Sequence, residues 1–281
     1  MDKTTLGDRM KSYEKLETQQ KFIPTLPIVI RIDGRAFSKF TKPFKRPYDK
    51  DLTDVMIETT KSLVDQSNAV IGYTQSDEIS LILFSEDIKS QVFFNGRKDK
   101  LLSVLSGIAT STFMFHAMQK WPEYIQKLAT ANRLPSFDCR AFNVPNRLEA
   151  VNALVWREQD ATKNAIQMLG QDNFSHKSLQ GLSGNLIQKK LLEKKDINFN
   201  DEPYFFKRGT YVRKKTRTIF VNESNVAGIT DSEIGQQQLL EKGFVKRSFL
   251  EAFDFEQLTK IQNKVEVIFE QADPVFYKEE E

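Results

Sequence analysis

The sequence predicts an α+β protein whose first half runs in the order βαββαβ, the split-βαβ arrangement. Three observations carry that expectation. PIVIRID (27–33) has the density of Ile and Val expected of a strand buried on both faces. AVIGY (69–73) and EISLILF (78–84) are β-rich runs separated only by TQSD, the pattern of a tight hairpin. Between these strand signals stand two long segments with apolar residues at helical spacing.

The elements follow in order. An opening helix-like segment of about twenty residues leads into the first strand, which places Asp33 at its C-terminal end. Leu52, Val55, Met56, Thr59 and Leu63 then recur at helical spacing, with Asp51 placed as the N-cap. The hairpin that follows carries acids in its turn. Leu101, Leu105, Ile108, Thr112 and Phe115 mark a long helix that breaks at Trp121 and Pro122. SFDCRAFNV (136–144) alternates like a strand, and Pro145 ends it. Helical patterning resumes from Leu148 to Ile166 and again from Leu182 to Leu192, punctuated by Gly170 and Gly181. TYVRKKTRTIFV (210–221) is expected to form a hairpin turning near Lys214 and Lys215, and Ser248 to Gln271 a last helix-like segment before the acidic tail KEEE. The expected division is a catalytic domain over 1–145 and a smaller helical and β-hairpin region over 146–281. No repeat or Pro/Ser-rich linker sharpens that boundary.

Composition narrows the function classes. Of 281 residues, 40% are hydrophobic, enough for a substantial core. The 41 basic and 38 acidic residues give a formal charge of +3, so any site for a polyanion must be local. One cysteine, Cys139, excludes an intrachain disulfide, and two histidines without cysteine partners argue against structural zinc. The N-terminus is charged and no run reaches the eighteen or so uninterrupted apolar residues of a membrane span. A soluble, cytoplasmic protein without a membrane partner is the expectation.

In a βαββ order, the end of the first strand and the tip of the hairpin lie side by side on one rim of the sheet, since adjacent strands stand about 4.8 Å apart. Asp33 is then expected to face Asp77 and Glu78, and clustered carboxylates call for a hard divalent ion. Mg²⁺ keeps waters and phosphate oxygens in its shell, which points to phosphoryl or nucleotidyl transfer with two ions per site. Gly34 lets the backbone approach closely enough for its carbonyl to act as a further ligand. Asp-Gly after a strand is an ordinary turn and Ser-Asp-Glu an ordinary hairpin tip; only their order joins them. Basic residues crowd this acid, among them Arg31, Arg35 and Arg46, while Arg97 and Lys100 in GRKDK (96–100) stand at a helix start that favours phosphate. A triphosphate is the expected guest, and Ala36 and Phe37 of the same motif join the candidate nucleotide contacts. YFFKRGTYVRKKTRTIFVN (204–222) holds six basic and five aromatic residues and no acid, which suits RNA at Lys207, Arg208, Arg213, Lys214 and Lys215. His116 and His176 suggest no Cys–His or Ser–His pairing. Neither GxxxxGK[ST] nor GxGxxG occurs.

RIDGRAFSKFT (31–41), GYTQSDEISLILF (72–84), FDCRAFNVP (137–145) and WREQDATKN (156–164) together resemble the tRNA(His) guanylyltransferase superfamily of 3′-to-5′ RNA polymerases. The phrase GYTQSDEISL is most similar to the guanylyltransferase-like proteins that repair truncated tRNA 5′ ends. The resemblance implies a polymerase-palm-like domain, metal-binding Asp33 and Asp77, the Gly34 carbonyl ligand, and Glu78 as the acid after the second aspartate. It implies nucleotide or triphosphate roles for Ser76, Arg46, Lys100 and Asn164, and matches Arg140, Arg157 and Asp160 to the downstream motifs, the two arginines as tRNA contacts. It also implies tRNA, ATP, GTP and other NTPs as partners, activation of a 5′-monophosphate end by ATP, and a homotetramer. Two departures stand out. DATKNAI replaces a His-Ile-Asn-Asn-type motif, which favours template-dependent repair over recognition of a histidine anticodon, and Glu158 stands where glutamine is more frequent. A palm-type nucleotide cyclase and a non-catalytic RNA-binding protein are the rival expectations.

Overall fold

The computed structural model describes residues 5–277 except 88 and 231; the KEEE tail lies outside the described residues. The elements are α1 (Leu6–Thr18), β1 (Ile28–Arg35), α2 (Phe37–Phe40), α3 (Lys50–Ser67), β2 (Ile71–Gln75), β3 (Glu78–Leu83), α4 (Lys98–Lys120), α5 (Pro122–Thr130) and β4 (Ser136–Asn143). The second half adds α6 (Arg147–Asn173), α7 (His176–Leu179), α8 (Gly184–Lys195), α9 (Tyr204–Arg208), β5 (Thr210–Phe220), α10 (Glu233–Lys242), β6 (Phe244–Phe253) and α11 (Lys264–Phe269). The βαββαβ order of the first half is present. Its four strands and the last two make one sheet in the order β4-β1-β3-β2-β5-β6, every neighbour antiparallel.

The alternation of β1 divides its side chains between two cores. Ile28, Ile30 and Ile32 pack with α3 and α4 through Leu63, Val64, Leu105 and Phe113. Val29 packs on the opposite face with Ile82 of β3, Ala150, Val151 and Leu154 of α6, and Val267 of α11. Arg31 and Asp33 continue the Val29 row, so the polar end of β1 opens beneath α6. A third cluster joins the far half of α6 to α8 and α9 through Ile166, Leu169, Ile187 and Phe206. By length and composition α4 could cross a membrane. Here Leu101, Leu105, Ala109, Phe113 and Ala117 form a stripe buried against the sheet and α3.

Three expectations need correction. The α3 cap is Asp49, whose Oδ1 accepts from the Leu52 N–H at 3.1 Å, while Asp51 pairs with Lys120 at 2.7 Å. Residues 210–221 do not turn at Lys214 and Lys215; β5 runs straight through them and pairs with β6 from Tyr211↔Phe253 to Phe220↔Phe244. No residue suited to a tight turn stands at 214–215, whereas Asn222, Gly228 and Gly243 lie downstream. Ser248 to Gln271 is not one helix. Its first part is β6, because ten cross-strand pairs with β5 outweigh a helix-compatible spacing of Phe249, Leu250 and Phe253.

Candidate active site

The site lies where β1 ends and the β2–β3 turn begins. Ser76 adopts a left-handed φ of 55°, turning the chain within two residues, and the Gly34 N–H donates to the Asp77 carbonyl at 3.1 Å. Asp33 therefore stands beside Asp77, and the Ser76 hydroxyl donates to Asp77 Oδ1 at 3.1 Å. Gly34 is required for a reason the sequence did not show: a Cβ there would meet the Phe37 ring at 2.4 Å.

Burial raises the Asp33 carboxyl above the usual range, repulsion from Glu78 and Asp138 adds to it, and Arg140 and Arg31 oppose it. Burial also raises Asp77, with Asp33 adding repulsion. Two acids that each resist ionising beside the other fit a cation between them. Among the described residues no group of three His, Cys, Asp or Glu side chains is arranged to hold a metal. The protein groups that could hold one are Asp33, Asp77 and the Gly34 carbonyl. They suit a hard ion that fills its shell with water and phosphate oxygens.

Glu78 takes a different place from the one the motif suggests. It pairs with Asp33 in register across β1 and β3, but its carboxylate lies 2.9 Å from Arg31 Nη2 and 2.5 Å from Arg157 Nε. The three side chains are 16%, 20% and 11% exposed. Arg157 also reaches Asp160 at 3.1 Å. Glu78 and Arg31 thus form a braced ion cluster rather than a free metal ligand and a free triphosphate clamp. The same cluster holds Arg157 at the wall of the groove rather than on the open surface.

The remaining candidates separate by position. Arg46 and Ser76 line a pocket with Phe44, Tyr48, Phe205 and Phe206. Asn164 and Asp160 line an open groove with Asp33, Asp77 and Trp156. Arg140 sits on the carboxylate rim, 3.7 Å from Asp33 and 3.3 Å from Asp138. Arg35 is exposed just past it, and Ala36 takes a left-handed φ of 57° that turns the chain into α2. The Phe37 ring is buried against Phe40, Phe113 and Phe137, so it is a core residue rather than a nucleotide contact.

Arg97 and Lys100 are not brought to the carboxylates within one chain. The Phe22 N–H donates to the Gly96 carbonyl and the Ile23 N–H to Asn143, the register partner of Ile28. That places the start of α4 at the opposite end of β1, about 17 Å from Asp33 at 3.3 Å per strand residue. The basic run of β5 is largely matched by acids from other elements. Arg213 and Lys215 each reach Glu251 at 3.0 Å, and Lys214 reaches Asp65 at 2.8 Å. Lys207 donates to the Asn200 carbonyl, and the Arg208 carbonyl accepts from Tyr73 at 2.7 Å.

Sequence reasoning missed Tyr48, Phe205, Phe206 and Trp156. Their aromatic character was visible in FKRPYD, YFFKRG and WREQD, but which cavity each lines depends on how α6 and α9 pack across the sheet.

A family model described as Thg1, tRNAHis guanylyltransferase, matches residues 7–145. The tRNA(His) guanylyltransferase of Saccharomyces cerevisiae is 32% identical over 222 residues, covering 74% of this chain and 91% of the yeast protein. An uncharacterized protein, R259, of Acanthamoeba polyphaga mimivirus is 30% identical over 75% of this chain and 77% of its own length. Among solved structures, a bacterial tRNA(His) guanylyltransferase (Thg1)-like protein in complex with ATP superposes with a TM-score of 0.68 at 37% identity, covering 78% of this chain and 90% of the other. A bacterial Thg1-like protein in complex with GTP gives 0.70 at 29% identity over 95% and 99%. The likeness thus extends beyond the matched first half into α6, the sheet extension and the C-terminal segment, and with these strands and this carboxylate rim the chain belongs to the tRNA(His) guanylyltransferase family of nucleotidyltransferases.

Proposed function

We propose that the protein adds nucleotides to the 5′ end of tRNA in the 3′-to-5′ direction, using two Mg²⁺ ions, with template-directed repair of truncated ends as its main task. The observation that carries this is the pairing of Asp33 and Asp77 on a rim flanked by two cavities that meet at Gln75, Ser76 and Met168, one lined by aromatic rings, the other largely polar. A single mononucleotide substrate needs one such cavity. Transfer between a nucleotide and an RNA end needs two.

Asp33, Asp77 and the Gly34 carbonyl would hold the ions, which when bound lower the pKa of an attacking hydroxyl and neutralise charge on the leaving pyrophosphate. The protein's own groups do the rest. Phe44, Tyr48, Phe205 and Phe206 enclose a base, while Arg46 at the mouth of that pocket meets phosphate. Ser76 holds Asp77 in orientation through its hydroxyl. Arg140 opposes the charge of Asp33 and Asp138. A 5′-monophosphate end is first adenylylated by ATP with loss of pyrophosphate, and the 3′-hydroxyl of the incoming nucleotide then displaces AMP. An end already bearing a triphosphate enters at the second step. The distance of Arg97 and Lys100 from their own chain's carboxylates supports assembly of more than one copy, and a cytoplasmic homotetramer completes the reading.

The test is incorporation of labelled NTPs into two monophosphorylated tRNAs with ATP and Mg²⁺, one lacking its first nucleotide and one a full-length tRNA(His). Pairing-directed addition to the truncated tRNA is expected, with Asp77→Ala falling at least about 100-fold. Addition only to tRNA(His) would replace repair with maturation. A cyclic nucleotide formed from NTP without RNA would overturn the reading in favour of a cyclase, and wild-type RNA binding with no incorporation would favour a binding protein.

A further inference from the structure

Trp156 stands on α6 and is 50% exposed, which is unusual for an indole beside a catalytic rim. It is not loose. The Arg31 guanidinium lies 5.1 Å and the Arg157 guanidinium 4.6 Å from its ring. Both guanidiniums grip the same carboxylate, Arg31 at 3.3 and 2.9 Å and Arg157 at 2.5 and 2.6 Å from the two Glu78 oxygens. Guanidiniums sharing one carboxylate stand too close together to sandwich an indole, so they support it from one side and leave the other open. These cations are nearly dry, which strengthens their hold on the ring.

Trp156 lines, beside Arg31 and Arg157, the groove of about 640 Å³ that contains Asp33 and Asp77. Along α6, Trp156, Asp160, Asn164, Gln167 and Gln171 follow at helical spacing and all line this groove. They form one face about 22 Å long at 1.5 Å per residue. An aromatic platform beside amide side chains is the chemistry that receives a nucleobase, since the ring stacks and the amides read base edges.

We infer that Trp156 is a stacking platform for the terminal base at the 5′ end of the RNA substrate, with Asn164, Gln167 and Gln171 continuing the track along α6. The inference rests on the reading of the protein as an RNA-end nucleotidyltransferase. RNA is favoured over free nucleotide because the α6 face of the groove, about 22 Å long, exceeds what one nucleotide spans. The aromatic pocket on the far side of Ser76 already suits the base of a mononucleotide.

The experiment compares the parent, Trp156→Phe and Trp156→Ala with three probes. These are a 5′-triphosphorylated acceptor-stem minihelix lacking its first nucleotide, the same RNA with an abasic 5′-terminal residue, and ATP alone. The Trp156 signal is the part of the intrinsic emission lost in Trp156→Phe. The base-bearing RNA is expected to quench it, and the abasic RNA and ATP to leave it nearly unchanged. In nucleotide addition, Trp156→Ala should raise the half-saturating RNA concentration about 10-fold with a much smaller change in turnover, and Trp156→Phe should restore most of the loss. Equal quenching by intact and abasic ends, or equal behaviour of the Phe and Ala variants, would show that the ring only braces the arginines and would overturn the inference. Quenching by ATP alone would overturn the assignment to RNA. An active parent with an unresponsive Trp156 overturns the platform and leaves the proposed addition standing. An inactive parent whose Trp156 is quenched only by base-bearing RNA does the reverse.

Discussion

Asp33, Asp77 and Glu78 look equivalent in the sequence, yet the structure gives them separate work. Among the described residues, Asp33 and Asp77 have no buried cation as a close partner, and they repel each other. Glu78 is held by Arg31 from the same sheet and Arg157 from a helix 79 residues away in sequence. The positions of the first two were legible because a strand end and a hairpin tip are local features of sequence. The role of the third was not, because Arg157 reaches Glu78 only once α6 lies across the sheet. Replacing Glu78 with Gln should leave two largely buried guanidiniums without their shared anion and lower stability by about 3 kcal/mol. Urea unfolding measures this. Unchanged stability with a raised Mg²⁺ requirement would instead make Glu78 a metal ligand.

At the scale of elements, α6 is the part that joins structure to site. Apolar spacing foresaw it from Leu148 to Ile166, but it runs on through Gly170, which packs on Ile187, to Asn173, and its polar edge reads in sequence as an ordinary solvated face. Its buried Glu158 accepts from the Leu258 N–H at 3.0 Å, fastening the chain after β6 to the helix. Burial pushes this carboxyl up to about 7, opposed by the Leu258 N–H and by Arg208 of α9. Between the ordinary Glu value and about 7, the folded state keeps a proton that the unfolded chain has released. Stability therefore falls as pH rises through that window, by up to about 3 kcal/mol above it. Glu158→Gln keeps an acceptor for Leu258 and should remove that slope, so the variant gains on the parent between pH 5 and 8 in thermal melts. Equal slopes would show that Glu158 ionises normally. The misread hairpin at 210–221 belongs to this scale as well. Strand and turn depend on what pairs alongside, and the partner, β6, was itself read as helix.

Across the whole molecule, one sheet ties the two halves together. β5 continues the sheet from β2, with Val212 entering the core beneath α3, and α6 and α11 cover the other face. A fragment of residues 1–145 would expose the β2 edge and the Val29, Ile71 and Ile82 row. It is expected to aggregate or lack a cooperative thermal transition, read by circular dichroism and light scattering, whereas a fragment melting like the full chain would establish an independent catalytic domain. The sequence by itself determined the βαββαβ order, the burial of β1 on both faces and the two aspartates of the rim. Periodicity and turn chemistry act over a few residues, so a single chain segment displays them. Only the tertiary structure decided that Glu78 is an ion-pair hub, that Arg97 and Lys100 lie at the far end of β1, that three of the four β5 cations pair with Glu251 and Asp65, and that Trp156 overlooks the carboxylates. Each of those is a meeting of side chains from distant segments, and such meetings exist only after the sheet and the helices across it have packed.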